Sequence, residues 1–461
     1  MAVLQAGEVE ALKKDFRGEV LLSSDDAYED ARQIWNGMFD RRPAIIARCV
    51  GTSDVLNAVN FARDNDLLIA VKGGGHNSAG NAVCDDGIMI DLSLMRRVNV
   101  HPKEKTLRVD GGTLLGDMDY ESQLYGLAVS GGGIISHTGV GGLTLGGGFG
   151  WISRKHGLAV DNLISAEVVT ADGRVLTASR DENPDLFWGI RGAGGNFGIV
   201  TSFEFKCVDI GPKVYSGLIV KRFEDAKEYM RFHREYVRGL PDGMTAWMVV
   251  RHAPALPFLP EEVHGRMVVV VSFVWLGDEA EGAALVRPIR EATTSHGEAT
   301  GMNSWVDWQS GFDSLAEHGA RNYWKSHHLT ELSDDCIHRI VEYAETMPSD
   351  ETEVFIPHME GAPSRVPEGT TAFAHRNTPF VLNIHTRWRS ASDDERCLAW
   401  ARDFHRAMEP FAQGVYVNFL SDEGEDRVKE AYTQEVWDRL VQIKRKYDPG
   451  NLFRMNQNIK P

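Results

Sequence analysis

Val71-Lys72-Gly73-Gly74-Gly75-His76-Asn77 decides how this chain is read. The apolar run 67–72 has the length of a buried strand, and three glycines follow it at once. Successive glycines let neighbouring backbone N–H groups turn to one side and form a nest for an anion such as a pyrophosphate. Upstream, Ala44-Ile45-Ile46-Ala47 reads as a second buried strand, and Thr52-Ser53-Asp54 is an N-cap signal for an amphipathic helix over 55–65. Strand, helix and strand in so short a stretch form a βαβ-like unit that ends in the nest.

Two further glycine clusters follow: Gly139-Val140-Gly141-Gly142-Leu143-Thr144-Leu145-Gly146-Gly147-Gly148-Phe149-Gly150 and Arg191-Gly192-Ala193-Gly194-Gly195-Asn196-Phe197-Gly198. Residues 131–150 hold ten glycines in twenty positions, too many for helix or regular strand, so loop backbone pressed against a flat group is expected. A dinucleotide fold of the Rossmann type fails on the last cluster. Phe197 stands where the third glycine belongs, and a strand pattern over 199–207 follows instead of a phosphate-binding helix. No Gly-Lys-Ser/Thr occurs, which removes the Walker loop.

Around these clusters, residues 1–40 read as polar helix, with an amphipathic stretch over 29–38. Strands are expected at 87–92 and 106–112, a helix at 114–125, and a hairpin of 164–170 with 175–178 about Asp172-Gly173. Beyond residue 209 glycine thins out. Strands at 266–275 and 379–388 alternate there with helices at 223–237, 280–292 and 335–346, which predicts an α+β layer on an antiparallel sheet. After 408 come a helix, a strand over 414–420 and a charged helix near 425–447.

The 461 residues carry 49 Lys+Arg against 66 Asp+Glu, a net charge of −17 that argues against a nucleic-acid backbone or an anionic membrane as partner. No apolar run reaches the roughly 18 residues a bilayer crossing needs. Residues 1–18 include Glu8, Glu10 and Asp15 and show no signal-peptide pattern. The five cysteines, Cys49, Cys84, Cys207, Cys336 and Cys397, form no C-x-x-C pair, so a reducing, cytoplasmic setting is expected. No zinc spacing is found, and His327-His328 on a strand would point to opposite faces, so no metal is expected.

Taken in order, the motifs resemble the flavoenzymes of the vanillyl-alcohol oxidase/p-cresol methylhydroxylase superfamily, most of all the berberine-bridge-enzyme-like FAD-linked oxidases. The resemblance rests on Gly73-Gly74-Gly75-His76, Asp91-Leu92-Ser93, Gly111-Gly112, the 131–150 stretch, Lys155-His156-Gly157-Leu158-Ala159-Val160-Asp161-Asn162, Asp185-Leu186-Phe187-Trp188 and 192–200. Tyr416-Val417-Asn418-Phe419 and Tyr447-Asp448-Pro449-Gly450-Asn451-Leu452-Phe453 belong to the same pattern. It covers about 35–207 and 408–461, and the middle third matches loosely.

The resemblance implies a two-domain α+β flavoprotein. Residues 1–208 and 408–461 would form a discontinuous FAD-binding domain of two small α/β subdomains, and 209–407 an antiparallel-sheet substrate domain. FAD would be held by Gly73, Gly74, Gly75, Asn77, Gly80, Ser93, Gly133, Thr138, Gly139, Gly141, Gly142, Gly146, Gly148, Asn162, Gly198, Ile199, Val200, Tyr416 and Asn418, with one covalent 8α-histidyl link at His76. Relatives often add a cysteinyl link at the position of Ile135, which this chain lacks. Thr138 falls where the family faces O₂. The family's usual base is a tyrosine at the position of Phe419, which cannot ionise, so Tyr416, Glu360 and His385 are the alternatives, with Asn418 beside Tyr416. The activity implied is hydride abstraction from a C–H next to O or N of a small organic or secondary-metabolite substrate, with O₂ reoxidising the flavin and H₂O₂ released; flavin-dependent monooxygenation is the alternative.

Overall fold

The computed structural model describes residues 6–421 and 424–461. Its three larger sheets each answer to a different part of the sequence pattern. Strands Ile45–Arg48 and Ile69–Lys72, joined by helix Thr52–Asp64, are the expected βαβ elements, but Ile88–Asp91 slots between the two strands, parallel to both. Val55, Ala58, Val59 and Ala62 recur at helical period and pack the helix onto this sheet. Buried Asp54, in the first helical turn, accepts from the backbone N–H groups of Arg17, Gly18 and Val50 at 2.9–3.1 Å, tying down the N-terminal segment. The glycine nest therefore leaves the carboxyl end of a parallel strand, the usual ligand end of an open α/β sheet.

The second sheet is antiparallel, in the order Val98–His101, Thr106–Asp110, Ile199–Lys206, Leu163–Val169, Val175–Ser179. The hairpin about Asp172-Gly173 forms as expected. Helix Gln434–Tyr447 returns to this layer and buries Leu440, Ile443 and Tyr447 against Phe187, Trp188 and Phe197. Lys444 and Asp448 are fully buried there at 2.7 Å, and each also meets backbone: the ammonium reaches the carbonyls of Asn196 and Phe453, the carboxylate the N–H groups of Leu452 and Phe453. A buried charge pair is tolerated only when its remaining bonds are made this way.

The third sheet has seven antiparallel strands, in the order Ser295–Ser304, Lys213–Arg222, Met267–Trp275, Met244–His252, Glu353–Ile356, Phe380–Trp388, Arg321–Leu329. Period-two alternation divides its faces. Met244, Ala246, Met248 and Val250 share the core under the helices Ala226–Arg238 and Asp334–Ala344, whereas Trp247 joins Phe149, Trp151 and Tyr416 on the face toward the 131–150 stretch. The chain is thus a two-domain α+β protein.

Four local expectations are corrected. In 1–40 the described helices are Ala6–Lys14 and Tyr28–Ala31, with strand Glu19–Leu21 between; the 29–38 periodicity gives way because Asn36 donates to the carbonyls of Ser78 and Asn322, both at 2.8 Å. The 131–150 stretch contains a short helix, Val140–Leu145, whose Val140 and Thr144 are buried one turn apart. Residues 414–420 are no strand: Val417–Phe419 is a 3₁₀ turn closed by the bond from Phe419 N–H to Tyr416 O at 2.9 Å. The charged helix of 425–447 is two helices, Glu425–Lys429 and Gln434–Tyr447, because the Thr433 hydroxyl caps the second by accepting from Val436 N–H.

The domains meet where helix Leu115–Gln123 faces helix Trp305–Ser310. Asp119 is buried between them and accepts from Trp305 Nε1 at 3.1 Å and Gln309 Nε2 at 3.2 Å, with no cation beside it. Burial pushes its carboxyl up to about 6. A carboxyl raised on folding contributes stability that is complete below its unfolded value and is lost as pH rises through its folded value. Asp119→Asn removes that dependence, and its amide can donate to the unpartnered Gln309 Oε1. The variant should therefore unfold at higher denaturant than wild type at pH 8, by roughly 3 kcal/mol, and equal it near pH 4. Urea melts across that range measure it; a constant difference would show that Asp119 does not titrate.

Candidate functional site

The site begins where two glycine loops cross. A Cβ on Gly139 would lie 2.5 Å from the Gly74 amide nitrogen, and Gly74 is equally close to Gly139, so only glycine permits the contact. This crossing brings the 73–77 loop and the 133–138 segment together, and Gly73, Gly74, His76 and every residue of 133–138 keep part of their surface exposed. These residues are partly exposed and do not fill core.

His76 stands at this crossing. Trp35 stacks on its ring at 4.9 Å and 19°, and Trp35 is itself held by bonds to Gly75 O and Ala316 O. His76 Nε2 is 2.6 Å from His137 Nδ1, and His318 completes a cluster in which one nitrogen from each ring lies within 4.8 Å of the others. Burial pushes the His76 imidazole well below its ordinary value, and its two histidine neighbours push it the same way; burial also lowers His137 and His318. All three are neutral near pH 7, so their nitrogen lone pairs are available.

Rings lead from His76 to Tyr416: Trp35, Trp324, Phe419, Tyr416, with centroids 4.9–5.5 Å apart. Fully buried Tyr416 accepts two hydrogen bonds at its hydroxyl, from Gly148 N–H at 3.0 Å and Asn418 Nδ2 at 2.9 Å. Asn418 also donates to Leu143 O at 3.0 Å, which fixes its amide. Burial drives the Tyr416 phenol up to about 12, against the pull of those two donors. The indole N–H groups of Trp151, Trp308 and Trp324 are buried with no acceptor among the described residues.

Comparison with known proteins agrees with this geometry. Residues 43–179 match the family profile described as "FAD binding domain", and 415–460 match "Berberine and berberine like". A FAD-linked oxidoreductase of Dictyostelium discoideum is 31% identical over 95% of this chain and 93% of its own. The chain belongs to the berberine-bridge-enzyme-like FAD-linked oxidoreductases. (R)-6-hydroxynicotine oxidase of Paenarthrobacter nicotinovorans is 32% identical, covering 96% of this chain and 97% of that protein. The crystal structure of 6-hydroxy-D-nicotine oxidase from Arthrobacter nicotinovorans superposes with a TM-score of 0.86 at 29% identity, over 97% and 98% of the two chains.

The residues of this FAD-linked oxidoreductase fit the cofactor on their own evidence: crossed loops without side chains, indole donors without partners, and Gly142, Gly194 and Gly195, at each of which a Cβ would meet nothing within 4 Å. Other site residues expected from the sequence take structural bonds. Asn162 spends both amide hydrogens on the carbonyls of His156 and Leu158, and Asn77 Oδ1 accepts from Asn81 N–H. A Cβ on Gly80 would run into the Phe39 ring, one on Gly146 into Asn418, and one on Gly198 into Val168. Ser93 N–H caps Asp91, Ile199 and Val200 are buried at the start of their strand, and Gly141 packs on Gly111 O and Phe203. Thr138 and Gly133 lie on the partly exposed 133–138 segment.

Glu360 and His385 are not brought to Tyr416. Glu360 pairs with His358 at 2.9 Å and is half-exposed. His385 has both nitrogens engaged, Nδ1 with Glu353 at 3.1 Å and Nε2 with Asn322 at 3.3 Å, although its ring lies edge-on to Trp324 at 4.3 Å. Burial raises the Glu353 carboxyl, but Arg251 and His385 outweigh it and bring it down to about 2. The sequence reading passed over Trp35, Trp324 and His318, whose segments are distant in the chain and carry no motif. His327 and His328 do point apart, the first stacking on His405 and the second bonding Thr378.

Proposed function

We propose that this chain oxidises a small organic or secondary-metabolite substrate at a C–H next to oxygen or nitrogen and passes the electrons to O₂, releasing H₂O₂. The observation that carries the reading is the Tyr416 hydroxyl, which accepts two N–H bonds and has its own proton uncommitted to any described acceptor. Two donors aimed at one oxygen stabilise the phenolate against the burial that raises it, so Tyr416, once its own proton has left to solvent, would take a proton from substrate. FAD supplies the hydride acceptor when bound. His76 would carry it covalently through the 8α-methyl, as a single link, because Ile135 and not cysteine occupies the second family position and all five thiols lie buried elsewhere. The crossed loops at Gly74 and Gly139 hold the cofactor's phosphates and ring edge. Asn418 orients Tyr416. Thr138 is small enough to leave O₂ a path.

The net charge of −17 argues against nucleic acid as a partner, and no helix among the described residues is long and apolar enough to cross a membrane. Five unpaired thiols fit a reducing compartment, and the cytoplasm is the location proposed. The test is anaerobic bleaching of the flavin by secondary alcohols, amines and oligosaccharides, followed by readmission of O₂. A product two hydrogens lighter with one H₂O₂ per turnover is expected; a product heavier by oxygen would replace the oxidase reading with monooxygenation.

A further inference from the structure

We infer that His76, His137 and His318 form a site for a divalent transition-metal ion of the zinc or cobalt class in the flavin-free chain, and that metal and flavin compete for His76. The metal site stands on the three imidazoles alone; the competition rests on the attachment reading for His76. One nitrogen from each ring lies within 4.8 Å of the others, with ring centroids 4.7, 5.1 and 5.6 Å apart. Tetrahedral coordination at zinc–nitrogen distances of about 2.0–2.1 Å asks for nitrogens about 3.3 Å apart. The 2.6 Å His76–His137 contact opens slightly and His318 closes in, changes that side-chain rotation supplies. Three imidazoles without thiolate or carboxylate suit zinc, cobalt, nickel or copper and not calcium or magnesium. Exposed His318 leaves the fourth position to water.

The three histidines come from segments already fastened to one another. Trp35 stacks on His76, accepts from Gly319 N–H at 3.1 Å and donates its indole N–H to Ala316 O at 2.6 Å. Gly37 N–H reaches Ala320 O at 2.9 Å. Ser136, next to His137, donates through its N–H and its hydroxyl to Asp313, at the start of the segment that carries His318. A preformed ligand set loses little freedom on binding. The neighbouring cations are already matched: Arg387 is paired with Glu351 at 2.9 Å and Lys72 donates to Ala31 O, while the Asp313 carboxylate stands behind His137.

Full-length chain from riboflavin-starved cells, with its fold checked by circular dichroism, is titrated with Co²⁺ and read by visible d–d absorption, and with Zn²⁺ by calorimetry. One ion per chain is expected. His318→Ala and His318→Gln, at an exposed position, each weaken binding roughly 10- to 100-fold. Absence of saturable binding, or binding that both variants leave unchanged, overturns the site. On protein from riboflavin-replete cells, zinc in the medium lowers the flavin-attached fraction of wild type and not of His318→Ala; equal sensitivity overturns the competition. Should wild type from those cells carry no covalent flavin, the attachment reading fails and the titration still decides the metal site.

Discussion

His76→Ala abolishes covalent flavin: after denaturing electrophoresis in acid, the fluorescent band of the wild-type chain falls to background. The expectation follows from the place of His76 at the end of the glycine nest and from burial, which keeps its imidazole neutral and nucleophilic near pH 7. A second link is not expected, since Ile135 holds the family's cysteinyl position and Cys49, Cys84, Cys207, Cys336 and Cys397 are all buried. The Gly74–Gly139 crossing persists in the variant, so FAD still binds, now dissociably, and is recovered in the supernatant. Turnover is expected to drop with it, because the proposed histidyl link would make the cofactor a stronger hydride acceptor. A fluorescent band that survives would place the attachment at another residue. His76→Ala also removes the stacking partner of Trp35, so thermal unfolding is compared first to separate lost attachment from lost fold.

Tyr416→Phe lowers kcat by roughly 10²- to 10⁴-fold while the covalent band stays, the range expected when a general base is removed and the cofactor remains. The substitution keeps the ring that packs on Phe149, Phe373 and Phe419 and deletes only the hydroxyl. The pH profile gives a separate readout. Burial holds the phenol at about 12, so the ionised fraction, and with it kcat/KM, rises about tenfold per pH unit above neutrality in wild type. In the variant that rise is gone. Asn418→Ala removes one of the two donors and gives an intermediate loss with the slope retained. A variant that kept the wild-type slope would assign the base elsewhere, and His385 is then the nearest alternative by its contact with Trp324.

The two variants address the two ends of the path of rings from His76 to Tyr416, and these ends differ in how far the sequence pointed to them. His76 was singled out through the resemblance of the Gly73-Gly74-Gly75-His76 motif and its neighbours to the flavoenzyme family, not by the local pattern alone. Tyr416 and Asn418 were named within an expected strand over 414–420 that the structure replaces with a 3₁₀ turn, yet the turn still brings the tyrosine hydroxyl and the asparagine amide to 2.9 Å. Glu360, the other acid–base candidate, meets His358 two residues away, a partner that a carboxylate in sequence does not reveal.

By itself the sequence determined the βαβ entry, the hairpin about Asp172-Gly173, the alternating strands beyond 209 and the flavin-binding family. The first three rest on period and turn chemistry, which act over a few residues, and the family rests on the resemblance of several motifs taken in order. Only the tertiary structure decided that Ile88–Asp91 parts the two strands of the βαβ unit, that Asp119 sits without a cation between the domains, and that His318 closes on His76 and His137. Each of these joins residues far apart in the chain. Their proximity follows from how whole layers pack, to which no local period or spacing is sensitive.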